Sequence, residues 1–466
     1  MTQPSTPDTR EEAASKLPAV HVLMAMGWDY LTPTDALALR GSERGVLLVP
    51  VLRERLKGHR FAFKGQTYRL SDGGIDQVVR EISASGLNEG LIPANEAIYK
   101  HLTLGITVTE FVDGQRTSVT VPLIDWAAPC ANTLQVTEEL SVERPAGMGR
   151  FRPDVVCYVN GIPLVVIEAK RPVSSTKDAA MVNEGISQHL RNQKTDGIQD
   201  LYAYSQLLLS ISGTDGRYAT TGTPAKFWGA WTEEDITEAE MQALKSSPLS
   251  EAQRAALFAD KPKWMRDDYD GLYSGPVWPT EQDRLIISLL RPDRLLDLTR
   301  RFIFFDRKLG KIVARYQQVQ GAKAILSQVS HQKPDGGREG GVIWHTTGSG
   351  KSNLMVFLTK ALLLDEELSR CRIIIVTDRV DLEKQLAATF MTGGAFGSAV
   401  ATKKEGETSK VQSGRDLAKR IGTGSERIIF TLLQKFNSAT KLPECKNTSD
   451  KIIVLVDEGH RSQGGE

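Results

Sequence analysis

The run His345-Thr346-Thr347-Gly348-Ser349-Gly350-Lys351-Ser352 places small residues ahead of a lysine and a hydroxyl, after an apolar stretch ending at Trp344. Small residues let backbone N–H groups wrap a phosphate, and a following helix adds the positive end of its dipole. This is P-loop chemistry. Thr347, Gly348, Ser349 and Gly350 would cradle the phosphates, Lys351 would reach the β- and γ-phosphates, and the Ser352 hydroxyl would ligate Mg²⁺. The first position of the G-x-x-x-x-G-K-[ST] pattern is His345 instead of glycine. A glycine-rich loop that merely caps a helix is the bland alternative.

Two further groupings carry acids. Asp457 and Glu458 directly follow the apolar run Ile452-Ile453-Val454-Leu455-Val456. An acid at the carboxyl end of a parallel strand can hold Mg²⁺, and its neighbour can polarise an attacking water. Asp154 and the triplet Glu168-Ala169-Lys170 flank an Asn160-Gly161 turn. Strand alternation puts Glu168 and Lys170 on one face, and the preceding strand of the hairpin can bring Asp154 beside them. Two carboxylates so placed bind Mg²⁺, and a lysine orients water for in-line attack on a phosphodiester. A salt-bridged strand end is the alternative for this stretch taken alone. Glu54 is a candidate fourth acid, although a solvated helix face accounts for it as well.

These groups need elements to hold them. In the first half, 119–121, 133–136 and 155–159 have strand character, and Asn160-Gly161 is the strongest hairpin signal of the chain. A helix is expected over 178–191, a break at 195–197, and one buried apolar element over 201–212. The stretch 213–279, rich in Gly, Pro, Trp and charge, reads as surface-heavy and inter-domain. From about residue 300 the texture changes: apolar runs at 341–344, 373–376, 428–430 and 452–456 alternate with helical patterns, as in a parallel sheet covered on both faces. Residues 391–425, rich in Gly, Ser, Thr and Lys, read as a mobile surface insertion.

Composition excludes more than it assigns. With 466 residues, 40% of them hydrophobic and 25% charged, 40 glycines and 20 prolines, the chain is neither disordered nor fibrous. No apolar run approaches the ~18 residues that span a bilayer, and no signal-peptide pattern opens the chain, so a cytoplasmic location and no membrane partner are expected. Four scattered cysteines without zinc spacing read as reduced thiols. The balance of 58 basic and 57 acidic side chains leaves a net charge of +1, which neither requires nor excludes nucleic acid.

Together the motifs carry a resemblance. The P-loop and Asp457-Glu458-Gly459-His460 resemble the first motor domain of superfamily 2 helicases and translocases, with Gly459 where alanine is commoner. Thr377-Asp378-Arg379 and Thr431-Leu432-Leu433-Gln434 look like that family's DNA-backbone motifs. Gln318 in Arg315-Tyr316-Gln317-Gln318 resembles its adenine-reading glutamine, although Gln317, Gln318 and Gln320 also suit a helix surface. Asp154, Glu168 and Lys170 resemble the PD-(D/E)xK nuclease arrangement.

The combination looks like the motor and cleavage subunit of type I restriction-modification enzymes, supported by Phe151-Arg152-Pro153-Asp154-Val155-Val156, 160–170, Leu295-Leu296-Asp297-Leu298 and His460-Arg461-Ser462-Gln463. The resemblance implies an α/β chain: a PD-(D/E)xK endonuclease domain with a mixed sheet and an N-terminal helical part over 1–260, a connecting region over 261–300, and a RecA-like parallel-sheet motor domain over 301–466, incomplete at its C-terminus. It implies ATP and Mg²⁺, with Asp154, Glu168, Ser352 and Asp457 as metal ligands and Lys170 and Glu458 in catalysis. It implies duplex DNA and methylation and specificity subunits as partners, and S-adenosylmethionine bound elsewhere in the complex.

The family's Q-x-x-x-Y element fits Gln188, but Asn192 stands where tyrosine is expected. A second motor lobe is also absent from the 466 residues, so negligible ATP hydrolysis is expected of them alone. DNA-stimulated ATPase activity would sink that expectation. Two rivals are a stand-alone repair helicase-nuclease, which co-purification with a methyltransferase would separate, and a non-catalytic DNA or partner clamp.

Overall fold

Val155–Val159 and Ile162–Ala169 are almost wholly apolar, and the computed structural model buries every residue of both strands. It describes residues 11–84, 86–172, 181–334, 336–344, 346, 350–378 and 411–457. These fall into two units, Met1–Arg300 and Arg301–Glu466.

The first unit is built on a mixed six-stranded sheet in the order Asp29–Leu31, Leu134–Glu138, Val155–Val159, Ile162–Ala169, Leu207–Ile211, Gly216–Ala219. The outermost strand Asp29–Leu31 runs parallel to Leu134–Glu138, and Ile162–Ala169 parallel to Leu207–Ile211; the other pairings are antiparallel. Burial on both faces explains why the two central strands lack polar alternation. Each fully buried Val, Leu or Ile there contributes about 2 kcal/mol relative to exposure.

The hairpin expected at Asn160-Gly161 is present. Both residues have positive φ, 51° and 80°, as a tight two-residue turn demands. Gly161 also meets a close neighbour. Its carbonyl accepts from Leu48 N–H (2.8 Å), and a Cβ there would lie 2.5 Å from the Leu48 carbonyl oxygen. The turn, with a one-residue register shift between Pro163 and Val165, brings residues 154 and 168 to the same end of the hairpin.

The apolar stretch 201–212 is two elements, not one: the helix Gln199–Tyr204 and the strand Leu207–Ile211. Both are buried, and a continuous apolar run does not reveal a break between helix and strand. Residues 213–279 are not merely surface either. They supply the strand Gly216–Ala219 and the helices Glu238–Lys245, Glu251–Leu257 and Lys263–Leu272, with Tyr218, Met241 and Leu257 buried. The helices Glu281–Leu290 and Pro292–Arg301 follow.

In the second unit Arg372–Thr377 lies between Ile428–Leu432 and Ile452–Val456, all parallel. The run 341–344, read as a strand, is not one: Val342 and Trp344 are 90% and 91% exposed. Apolar, β-branched sequence supplies only half of a strand, since its backbone groups need a partner edge. Part of the expected insertion, 391–410, lies outside the described residues. Its remainder is not a surface feature: the helix Gly414–Thr423 buries Leu417, Ala418 and Ile421 against Ile374, Val376 and Ile429.

Candidate active site

At the end of the glutamate strand Ile162–Ala169, three of the sequence-selected residues converge. Asp154 Oδ2 accepts from Ala169 N–H at 2.8 Å and from Lys170 Nζ at 3.3 Å. The same ammonium donates to the Ala169 carbonyl (2.9 Å) and lies 4.0 Å from Glu168 Oε2. Asp154, Glu168 and Lys170 are all buried, Glu168 completely. The cross-strand pairing of Ile167 with Val155 places Asp154 next to Glu168; the turn spacing alone would set Asp154 opposite Ile167, and a one-residue register shift between Pro163 and Val165 makes the difference.

Burial and then the adjacent Asp154 carboxylate hold the Glu168 carboxyl well above its ordinary range, with Lys170 acting the other way. Burial alone would lower the Lys170 ammonium, but Asp154, Glu168 and Glu11 together raise it. Glu168 Oε2 has no hydrogen-bond partner although it is buried. A carboxylate pair short of positive charge, with one orphaned oxygen, fits a divalent cation: Asp154 and Glu168 could hold it, beside the Lys170 ammonium. Among the described residues no group of three or more His, Cys, Asp or Glu side chains is placed as a metal cluster.

Two contacts escaped the sequence reading. Glu11 lies 3.7 Å from Lys170 Nζ and is itself raised, first by burial. No spacing rule links it to 168–170, so only the fold reveals it. Asn192 is fully buried and directs Nδ2 to Glu168 Oε1 (3.4 Å). The sequence marked this position only as a departure from tyrosine. By contrast Glu54 is exposed on its helix Val49–Lys57 and pairs with Lys57 at 3.1 Å, the solvated face that was the alternative reading.

The helix Met181–Asn192 covers this end of the sheet. It can approach because residue 185 is glycine: a Cβ there would lie 2.2 Å from Ser210 Oγ and 3.4 Å from Glu168 Cβ. His189 then ties the helix down. Its Nε2–H donates to the Leu209 carbonyl (2.9 Å), leaving Nδ1 to accept from the Tyr202 hydroxyl (3.0 Å). Gln188 is half-buried on the same helix.

In the second unit Lys351 and Ser352 open the helix Lys351–Leu364, the expected position for residues that follow a phosphate loop. Gln318 is brought to this end of the loop. Its Oε1 accepts from Arg315 N–H (2.8 Å) and its Nε2 donates to the Gly350 carbonyl (3.1 Å). Asp457 continues the strand Ile452–Val456, its N–H donating to the Val376 carbonyl (2.9 Å), and so stands at the carboxyl end of a parallel strand. Thr377 closes the neighbouring strand, buried, with Asp378 next to it. His345, Thr347, Gly348, Ser349, Arg379, Glu458 and 459–466 lie outside the described residues.

Known proteins share this order of parts. The family described as type I restriction enzyme R protein N terminus matches residues 8–227, and the SWI2/SNF2 ATPase family matches 317–466. The HindI endonuclease subunit of a type I restriction enzyme from Haemophilus influenzae is 29% identical over 457 residues, which are 95% of this chain and 38% of that protein. A Methanocaldococcus jannaschii protein, provisionally named the MjaIXP endonuclease subunit of such an enzyme, is 28% identical over 382 residues, 79% of this chain and 32% of its own length. In both matched stretches the chain is similar to the N-terminal portion of type I restriction R subunits. It spans about 38% of the length of the HindI subunit. Among the described residues no helix is long and apolar enough to cross a membrane.

Proposed function

We propose that this chain carries the nuclease domain and first motor lobe of an ATP-dependent type I restriction endonuclease, which moves duplex DNA and cleaves it by Mg²⁺-dependent phosphodiester hydrolysis. The observation that carries the reading is the meeting of Asp154, Glu168 and Lys170 in one buried cluster, with an orphaned Glu168 oxygen. In this reading the mixed sheet of the first unit is a PD-(D/E)xK nuclease domain, within 1–260 and joined through 261–300, and 301–466 is RecA-like. The enzyme would act in the cytoplasm with methylation and specificity subunits, S-adenosylmethionine being bound elsewhere in that complex.

Asp154 is fixed by the Ala169 N–H and the Lys170 ammonium, so its carboxylate needs no reorganisation on binding. Glu168 and Asp154 would hold Mg²⁺; bound there, the ion supplies positive charge to the phosphodiester and lowers the pKa of a water. Lys170 holds its proton and aligns the attacking water and the phosphate oxygens. In the motor, Lys351 would meet the β- and γ-phosphates, Ser352 and Asp457 would hold Mg²⁺, Glu458 would orient water, and Gln318 would read the adenine edge while gripping the loop through Gly350.

The test is Mg²⁺-dependent cleavage of plasmid DNA by the complex assembled with its partner subunits. Asp154→Ala, Glu168→Ala and Lys170→Ala should each reduce cleavage about a hundredfold or more while DNA-stimulated ATP hydrolysis persists. Undiminished cutting by the Asp154→Ala complex would refute the nuclease assignment.

A further inference from the structure

Arg191, in the last turn of the helix Met181–Asn192, has a guanidinium held from two sides. Its carbon lies 4.7 Å from the Phe151 ring centroid, and its Nε and Nη2 reach Asn192 Oδ1 at 3.4 and 3.3 Å. The amide of Asn192 is oriented by this contact: its oxygen faces the guanidinium, so its Nδ2 faces Glu168 Oε1. Phe151 itself lies three residues before Asp154.

The neighbouring arginines are satisfied differently. Arg144 stacks on the same ring at 4.4 Å and pairs with Asp196 at 3.2 Å, and Arg150 pairs with Glu43 at 2.5 Å. Among the described residues no carboxylate pairs with Arg191, which is nonetheless exposed. Ordering a long cationic side chain against a ring and an amide costs conformational entropy, and among the described residues only the longer-range attraction of the Glu168 carboxylate, with no direct ion pair, offsets it. Behind it lie Asp154, Glu168 and Glu11, balanced by Lys170, an arrangement that repels a polyanion unless cations line its rim.

We propose that Arg191 binds a backbone phosphate of duplex DNA at the mouth of the Asp154–Glu168 site, pre-oriented by Phe151 and Asn192. The inference rests on the nuclease reading above and names how its substrate is seated. Two of the guanidinium's nitrogens face Asn192, and the remaining donors of its planar fork are free to meet phosphate oxygens.

The test uses the whole chain without nucleotide and a fluorescein-labelled ~30-bp duplex in EDTA, with binding followed by anisotropy as salt is raised. Arg191→Ala should weaken binding about three- to tenfold, equally for unrelated sequences, and lower the slope of log K against log salt by about one. Arg191→Lys should restore the slope but only part of the affinity, because the charge returns without the fork. Phe151→Leu should weaken binding while keeping the slope. Unchanged affinity and slope for Arg191→Ala would overturn the proposal, as would a Lys variant with the slope of the Ala variant. Mn²⁺ binding by electron paramagnetic resonance separates this result from the reading beneath it. Arg191→Ala should leave Mn²⁺ binding intact, and Asp154→Ala should abolish it. If Asp154→Ala binds Mn²⁺ like wild type, the nuclease reading fails, whatever the duplex shows.

Discussion

Glu168 is a costly residue to place where it stands. Its carboxyl is fully buried beside another carboxylate, with one oxygen held by Asn192 and the other without a hydrogen bond. A fold selected for stability alone would not place it there. Because the folded carboxyl binds its proton more tightly than the unfolded one, wild-type stability declines as pH rises from the unfolded value of about 4.5 through the folded pKa. Glu168→Gln keeps the shape and can still accept from Asn192. It should stabilise the metal-free chain at pH 7.5 by ~1–2 kcal/mol, read as a higher urea midpoint, while Mn²⁺ binding is lost. A variant that is less stable than wild type would show that the carboxylate is structural. At this scale the sequence was informative where chemistry comes in runs. Lys351 and Ser352 announce themselves by spacing, and Asp154, Glu168 and Lys170 by their hairpin context more than by spacing, whereas Glu11 and Asn192 reach the site only through the tertiary fold.

Among the elements, the helix Met181–Asn192 decides whether the site is assembled, and two residues fix it. Gly185 lets it touch the sheet, so Gly185→Ala forces Cβ against Ser210 Oγ. That overpacking should cost about 1–3 kcal/mol and shift the helix off Glu168. Thermal unfolding would read the loss, and Gly185→Ala/Ser210→Gly should recover much of it, as expected for residues in direct contact. His189 is the second fixture. Burial pushes its imidazole down to about 4, so it is neutral in the fold, donating to Leu209 and accepting from Tyr202. The unfolded histidine binds a proton near 6.5, so its contribution is complete above that pH and is lost as pH falls toward 4. His21, also buried and lowered to about 4, adds to the same loss. Urea midpoints should therefore fall between pH 7 and pH 4.5, reflecting a loss of roughly 2 kcal/mol of unfolding free energy per histidine. His189→Asn should be less stable at pH 7 and show a shallower pH dependence; an unchanged dependence would mean that His189 stays neutral in neither state. The hairpin that carries Glu168 was legible because Asn-Gly chemistry is local. The helix–strand break inside 201–212 was not, because burial on all sides erases the periodicity that distinguishes the two. The failure of 341–344 to pair has the same root, since a strand's partner is not written in the strand.

At the scale of the whole molecule, the two candidate chemistries lie in different units. Asp154, Glu168 and Lys170 belong to Met1–Arg300, and Gln318, Lys351, Ser352 and Asp457 to Arg301–Glu466. Each unit has its own sheet and its own buried apolar cluster. Net charge could not reveal this division, because +1 is a sum over both units and over every local rim and pocket. The continuous Val/Ile runs of 373–376, 428–430 and 452–456 did mark parallel strands, although Val454 and Val456 are exposed rather than covered. If the division is also energetic, lesions should act locally, because sites without shared partners couple weakly. Lys351→Ala should weaken binding of a fluorescent ATP analogue about tenfold or more and leave nucleotide-free Mn²⁺ binding at the carboxylate pair unchanged. Asp154→Ala should do the reverse. Loss of both signals in either variant would mean that the two units form one cooperative body and that each site depends on the integrity of the other. Clean separation would locate any coupling between ATP use and DNA cleavage in the assembled complex, where partner subunits and DNA engage both units together.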